Sequence, residues 1–186
     1  MQTAPGASLS DPAPSSPRAR PGLVVLLVAV AAVVYAADQV TKWLAVDRLG
    51  PGRSVELVGE LLQLRLTRNP GAAFSFATGM TWLLTLVAVL VVVVVVRSAR
   101  RLGSTGWAVA LGLLLGGALG NLTDRMLRAP GVGRGHVVDF IAYGHLFIGN
   151  VADIAIVLAA VLVGVLALRG RAVDGSDGTP QGAPDE

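Results

Sequence analysis

Read as a string of apolar and polar positions, the chain breaks into four long apolar runs separated by polar stretches. The first extends from about Gly22 past Asp38 to about residue 44. The others cover about 80–96, 102–123 and 147–168. A helix crosses the hydrocarbon core with about 20 residues, so each run is long enough to be a membrane span. Between the first two spans lies an insert, about 47–79, in which Leu62, Leu64 and Leu66 alternate with Gln63, Arg65 and Thr67. Period two predicts a strand, and Asn69-Pro70-Gly71 predicts the turn that ends it. Residues 1–21, with five prolines, and 169–186, rich in Gly and Asp, are expected as disordered tails. The expected fold is therefore an all-α integral membrane protein: four transmembrane helices, with a small extramembrane β-sheet built from the insert.

Composition supports that reading and narrows the chemistry. Hydrophobic residues make up 53% of the chain, too many for a soluble domain of this size. No cysteine is present, which excludes disulfides, thiolate metal sites and cysteine nucleophiles. The net charge of +3 comes from juxtamembrane arginines; no basic stripe is interleaved with stacking aromatics, so no nucleic-acid partner is expected. Arg18 and Arg20 before an apolar run also fit a cleavable signal peptide, with Val34-Tyr35-Ala36 as its cleavage site. That run passes directly into a polar cluster at Asp38, which favours a retained span.

Arginine density sets the expected orientation. Arg97, Arg100 and Arg101 crowd one short turn, and Arg18, Arg20, Arg169 and Arg171 lie against spans. The remaining basic residues are spread over long loops, whose charges count for little. Both termini are therefore expected in the cytoplasm, with the insert and its sheet on the outer side.

Four aspartates stand in or against the apolar runs: Asp38, Asp124, Asp139 and Asp153. A carboxylate in hydrocarbon costs roughly 3 kcal/mol on insertion scales, so intramembrane acids are candidates for function. With the orientation above, all four fall near the outer face, Asp139 in the loop after the third span and Asp153 in the first turns of the fourth. Asp38, Thr41 and Lys42 share one helix face, so carboxylate and ammonium can pair. The bland alternative is a helix end with a snorkelling lysine. Asn121, Asp124 and Arg125 repeat that geometry, and Arg125 is expected to hold Asp124 ionised. Gly112, Gly116 and Gly120 form a small-residue face for helix packing.

Asp139 and Asp153 differ from the other two. Neither has a cation within four residues, and both have apolar neighbours. Desolvated carboxyls brought together share a proton, which suits one as base and the other as acid. Each also has a structural reading, as a capped or paired acid. His136 and His145 lack metal-ligand spacing, and Ser75 lacks a nucleophile-elbow context. A proton-coupled transporter would show internal repeats and broken helices near the midplane, and none is evident. A scaffold without activity would leave Asp139 and Asp153 unexplained.

Five segments then carry a resemblance: Asp38-Gln39-Val40-Thr41-Lys42, Arg68-Asn69-Pro70-Gly71-Ala72-Ala73-Phe74-Ser75, Gly120-Asn121-Leu122-Thr123-Asp124-Arg125, Val137-Val138-Asp139-Phe140 and Asn150-Val151-Ala152-Asp153. In this order they resemble the motif series of bacterial lipoprotein signal peptidases, over roughly residues 22–168. The resemblance implies an aspartic membrane endopeptidase that removes signal peptides from prolipoproteins, cutting before the diacylglyceryl-modified cysteine. It implies Asp139 and Asp153 as the catalytic pair. Asp38, Lys42, Asn69, Asn121, Asp124, Arg125 and Asn150 are implied as substrate-binding or structural support. No metal or organic cofactor is implied. The implied partners are lipid-modified prolipoproteins and membrane lipid, with a monomeric enzyme in the cell membrane. The glycine-rich stretch Met126–His136 departs from the family pattern by its length.

Overall fold

The computed structural model describes residues 19–50, 52–71 and 81–176. Four helices dominate it: α1 (Pro21–Arg48), α2 (Thr81–Ala99), α3 (Thr105–Leu127) and α4 (Val151–Leu168). All four are long and apolar enough to cross a membrane. α3 is the least apolar, with a mean hydropathy of 1.4 against 2.3–2.8 for the others. Its position accounts for that: α3 packs against α1, α2 and α4, so its polar residues face protein rather than lipid.

Small residues permit this central placement. A Cβ on Gly116 would stand 2.7 Å from the Ala31 carbonyl oxygen and 2.7 Å from the Val34 side chain, both on α1. One on Gly120 would reach within 2.5 Å of the Asp38 carboxylate. Hydrogen in place of methyl lets the helix backbones approach, where packing rather than the hydrophobic effect drives association. The glycine face expected from the sequence thus serves α1 in particular, while Gly117 meets α4 at Ala152 and Ile156.

The sheet has four antiparallel strands in the order β1 (Ser54–Val58), β2 (Leu62–Asn69), β3 (Val137–Tyr143) and β4 (Phe147–Gly149). Three boundaries change as a result. Asp47 and Arg48 belong to α1, not to the insert. Phe147–Gly149, expected at the start of the fourth span, is a strand, and α4 begins only at Val151. Asp139 lies on β3 rather than in a loop, opposite Thr67 of β2. The run Val137–Tyr143 has no alternation because both its faces are covered. Val138 and Phe140 pack with Ala45, Leu49, Leu64 and Val151, which leaves the neighbouring Asp139 side chain on the opposite face.

At the far end of the bundle, part of the expected C-terminal tail is folded. The Val173 carbonyl accepts from the Gly103 backbone N–H at 2.9 Å, and that of Arg171 accepts from Trp107 Nε1 at 2.9 Å. Val173 joins the apolar cluster around Leu102, which is fully buried.

Candidate active site

The polar residues singled out in the sequence converge where α1, α3, β2, β3 and the start of α4 meet. Lys42 is the centre of the cluster. Its ammonium lies 2.8 Å from Asp38 and 2.9 Å from Asp124, and Lys42 and Asp38 have no exposed side-chain surface. The snorkelling alternative therefore fails, because this lysine is sealed inside the protein. A buried ammonium is tolerable only when paired and fully hydrogen-bonded. Its third bond goes to Asn121 Oδ1, at 3.0 Å.

Each carboxylate of this inner pair also ties down backbone. Asp38 Oδ1 accepts from the Ala152 N–H at 3.0 Å, in the first turn of α4. Asp124 Oδ2 accepts from the Val138 N–H at 3.1 Å, next to Asp139. The expected Asp124–Arg125 pair does not form; the cations on Asp124 are Lys42 and Arg128. Consecutive residues on a helix do not face each other, whereas residues four apart do. Arg128 is the residue that sequence reasoning missed, and its i, i+4 spacing from Asp124 was the available signal.

Asp139 and Asp153 sit above this layer, each held by asparagine. Asn69 Nδ2 donates to Asp139 Oδ2 at 2.8 Å and Asn150 Nδ2 to Asp139 Oδ1 at 2.7 Å. Asn121 Nδ2 donates to Asp153 Oδ1 at 2.9 Å, and the Asn150 backbone N–H to Asp153 Oδ2 at 3.1 Å. Asp153 is also the third residue of a capping box, its own N–H donating to Asn150 Oδ1 at 3.0 Å. Part of its role is thus structural, as an N-terminal acid on α4.

The orientation of all three amides is forced. Asn69 Oδ1 accepts from the Gly71 N–H at 2.7 Å, Asn121 Oδ1 from Lys42, and Asn150 Oδ1 from the Asp153 N–H. An ammonium and a backbone N–H can only donate. Each amide must therefore turn its oxygen to that partner and its NH2 to a carboxyl.

Burial opposes those donors at Asp139, which is 2% exposed. Desolvation, reinforced by the Asp153 charge, pushes the Asp139 carboxyl up to about 6, against the pull of Asn69, Asn150 and Lys42. Arg125 is buried nearby, in the field of Asp139, Asp124 and Asp153. Its Nη1 has no hydrogen-bond partner among the described residues. Counting charges, Lys42, Arg125 and Arg128 face four carboxyls, so one proton on the acids leaves the cluster neutral. The segment Ala72–Ser75 of the second motif lies outside the described residues.

Fold and site together define a class: a multi-pass membrane protein carrying two amide-held carboxyls over a buried lysine network at one end of its bundle. Comparison with known proteins makes this specific. Residues 30–169 match the family described as Signal peptidase (SPase) II. The chain is 60% identical to the lipoprotein signal peptidase of Rhodococcus jostii, across 82% of this chain and 77% of that one. With the lipoprotein signal peptidase of Mycobacterium avium the identity is 54%, across 80% and 82%. A bacterial membrane enzyme solved in meso at 1.9 Å superposes with a TM-score of 0.69 at 28% identity, covering 83% of this chain and 98% of that one. The chain belongs to the signal peptidase II family.

Proposed function

We propose that Asp139 and Asp153 are the catalytic carboxyls with which this peptidase cleaves signal peptides from prolipoproteins, just before the lipid-modified cysteine. The observation that carries the assignment is the forced orientation of Asn69, Asn121 and Asn150. Three amides from separate parts of the chain aim donors at these two acids.

The chemistry follows from a shared proton. The ionised carboxyl takes a proton from water as the water oxygen attacks the scissile carbonyl. The protonated carboxyl donates toward the carbonyl oxygen, and collapse of the tetrahedral intermediate releases the cysteine amine with a proton from the pair. At Asp139 the Asn69 and Asn150 donors favour ionisation, and burial with the Asp153 charge opposes it. With Asp139 raised to about 6, its protonated form is populated well above the usual carboxylate range. Excluding water when substrate binds raises that carboxyl further.

Arg125 is positioned to receive substrate. An unpartnered buried N–H is costly, and a peptide carbonyl near the cut would satisfy it. Asp38, Lys42 and Asp124 act at one remove, by holding Asn121, the start of α4 and β3. In this reading the sheet and acid cluster face outward and both termini face the cytoplasm, and the enzyme works as a monomer without metal or cofactor. The described N-terminal residues, the Arg97–Arg101 turn and residues 169–176 share the bundle end opposite the sheet, which is consistent with the arginine-based orientation.

The test is purified enzyme with a diacylglyceryl-modified prolipoprotein, read as the mass of the released product. Wild type shortens the substrate. Asp139→Asn and Asp153→Asn each lose at least about a hundredfold in rate, the usual scale of a lost general acid or base, while still binding it. Full activity in either variant would reject the pair.

A further inference from the structure

Two grooves meet at the catalytic carboxyls, and one aromatic side chain belongs to both. The first is lined by Asp153, Asn150, Tyr143, Phe147 and the α4 residues Ile154, Val157 and Leu158. Apart from Asn150 and Asp153 at its head, every residue that contributes to it along α4 is aliphatic. The second is lined by Asp139, Thr67, Arg68, Asn69 and Pro70 on one side and by Leu146, Phe147 and Ile148 on the other. Phe147 stacks on Tyr143 with ring centroids 4.6 Å apart, yet stays 55% exposed. It also stands close to the chemistry: a Cβ on Gly149 would meet Asp153 Oδ2 at 3.0 Å and the Phe147 ring at 3.4 Å. Phe147 is thus an exposed aromatic beside the acids, dividing an aliphatic groove from one of mixed polarity.

We infer that the α4 groove holds an acyl chain of the substrate's diacylglyceryl cysteine, and that Phe147 is the specificity-determining wall between lipid and peptide. The inference rests on the assignment of Asp139 and Asp153 above. The cut is made next to the lipidated cysteine, so the lipid must leave the site within one side chain's length of the carboxyls. Of the two grooves the α4 one is the more apolar, since Thr67, Arg68 and Asn69 line a wall of the other. The α4 groove begins at Asp153 and follows the exposed aliphatic face of a membrane helix, continuous with the bilayer in which acyl chains already lie.

Peptide fits that groove poorly. An extended backbone there would leave its amides without partners, a cost of several kcal/mol per group in an apolar setting. The Thr67–Pro70 side, with side-chain donors and acceptors, suits peptide instead. Moving a chain from bilayer to groove gains little hydrophobic free energy, since both are apolar. Phe147 therefore acts by shape, keeping chain and peptide in separate channels while the scissile bond lies between the acids.

Photo-crosslinking tests this without depending on turnover. Full-length Asp139→Asn enzyme in nanodiscs is loaded with a prolipoprotein bearing a diazirine within an acyl chain, irradiated and mapped by mass spectrometry. A phospholipid carrying the same diazirine serves as the bulk-lipid reference. The expected result is label on Ile154, Val157 and Leu158 enriched over that reference. In Asp139→Asn carrying Phe147→Ala, label should spread to Thr67–Pro70. Label on Thr67–Pro70 in the parent, in the separate apolar groove that Leu44, Leu49, Leu64 and Phe140 line at the end of α1, or distributed as for bulk lipid would overturn the groove assignment. An unchanged map with Phe147→Ala would remove the role of Phe147. Substrate shortened by Asp139→Asn in the same samples would count against the catalytic pair, a separate failure.

Discussion

Lys42 Nζ donates to Asn121 Oδ1 at 3.0 Å, across 79 residues of sequence, and thereby decides which end of that amide faces Asp153. A lysine that never reaches solvent thus sets the hydrogen bonding of a carboxyl it does not touch. It does so from between Asp38, whose other oxygen holds the start of α4, and Asp124, whose Oδ2 also accepts from the Val138 N–H of β3.

Removing that ammonium therefore strikes stability first. Lys42→Met leaves two buried carboxylates without their shared cation, a change worth about 3–5 kcal/mol for a broken buried pair. For a chain of this size that corresponds to a melting temperature lower by on the order of 10 °C. Thermal unfolding in detergent measures it, and a shift below about 2 °C would show that the pairs contribute little. Asn121→Leu, which spares the Lys42–Asp38 and Lys42–Asp124 pairs, should keep more of the stability and lose rate through Asp153.

The raised Asp139 carboxyl predicts two pH dependences. In the proposed mechanism activity needs one proton on the pair, so the rate falls when both acids are protonated and again as the shared proton leaves above about pH 6. A metal chelator leaves this profile unchanged. Stability follows a sign of its own. The folded value, about 6, exceeds the ordinary 3.8, so the native state binds more protons than the unfolded chain between them. This contribution is complete below about pH 4 and is lost as pH rises through about 6. The melting temperature of wild type relative to Asp139→Asn should therefore decline over that window and level off above it. A difference that rises with pH would contradict the burial argument.

Gly71 is a small residue with a specific duty. It adopts φ +116°, and a Cβ there would lie 2.5 Å from Leu84 Cδ1. Its N–H holds the oxygen of Asn69, whose NH2 serves Asp139. Gly71→Ala should disturb that turn, weaken the Asn69 bond and so raise the Asp139 carboxyl further. The pH–rate profile is the measurement: its alkaline limb moves to higher pH and the maximal rate drops. An unshifted limb would disconnect the turn from the acid.

Orientation can be checked independently of catalysis. Cysteines introduced at Ser98 and Ser54, in a chain with none of its own, should label from opposite sides of the membrane. Ser98 lies at the end of α2 beside Arg97, and Ser54 opens β1. Labelling of Ser98 from outside the cell would invert the assignment.

Four spans, the Leu62–Leu66 strand, the glycine face of α3 and the Asp38–Lys42 pair were all legible in the chain, because each depends on neighbours in sequence. Apolar length makes a span, period two makes a strand, and four residues of helix bring a carboxylate to an ammonium. The motif series also named polar residues that the fold brings together. What those residues do to one another was decided only in three dimensions. β3 exists because β2 pairs with it across the long interval between Asn69 and Val137, and a strand covered on both faces has no alternation to betray it. Lys42 is sealed rather than snorkelling because α3 delivers Asp124 and Asn121 to it. Asp124 turned to Lys42 and Arg128 instead of its neighbour Arg125 because adjacent helical side chains point apart. The three amide orientations depend on donors contributed by a turn, a buried lysine and a helix cap. Local sequence can place a carboxyl in a membrane helix or beside one; whether it is paired, capped or left to carry a proton depends on groups that only folding brings within 3 Å or so of it.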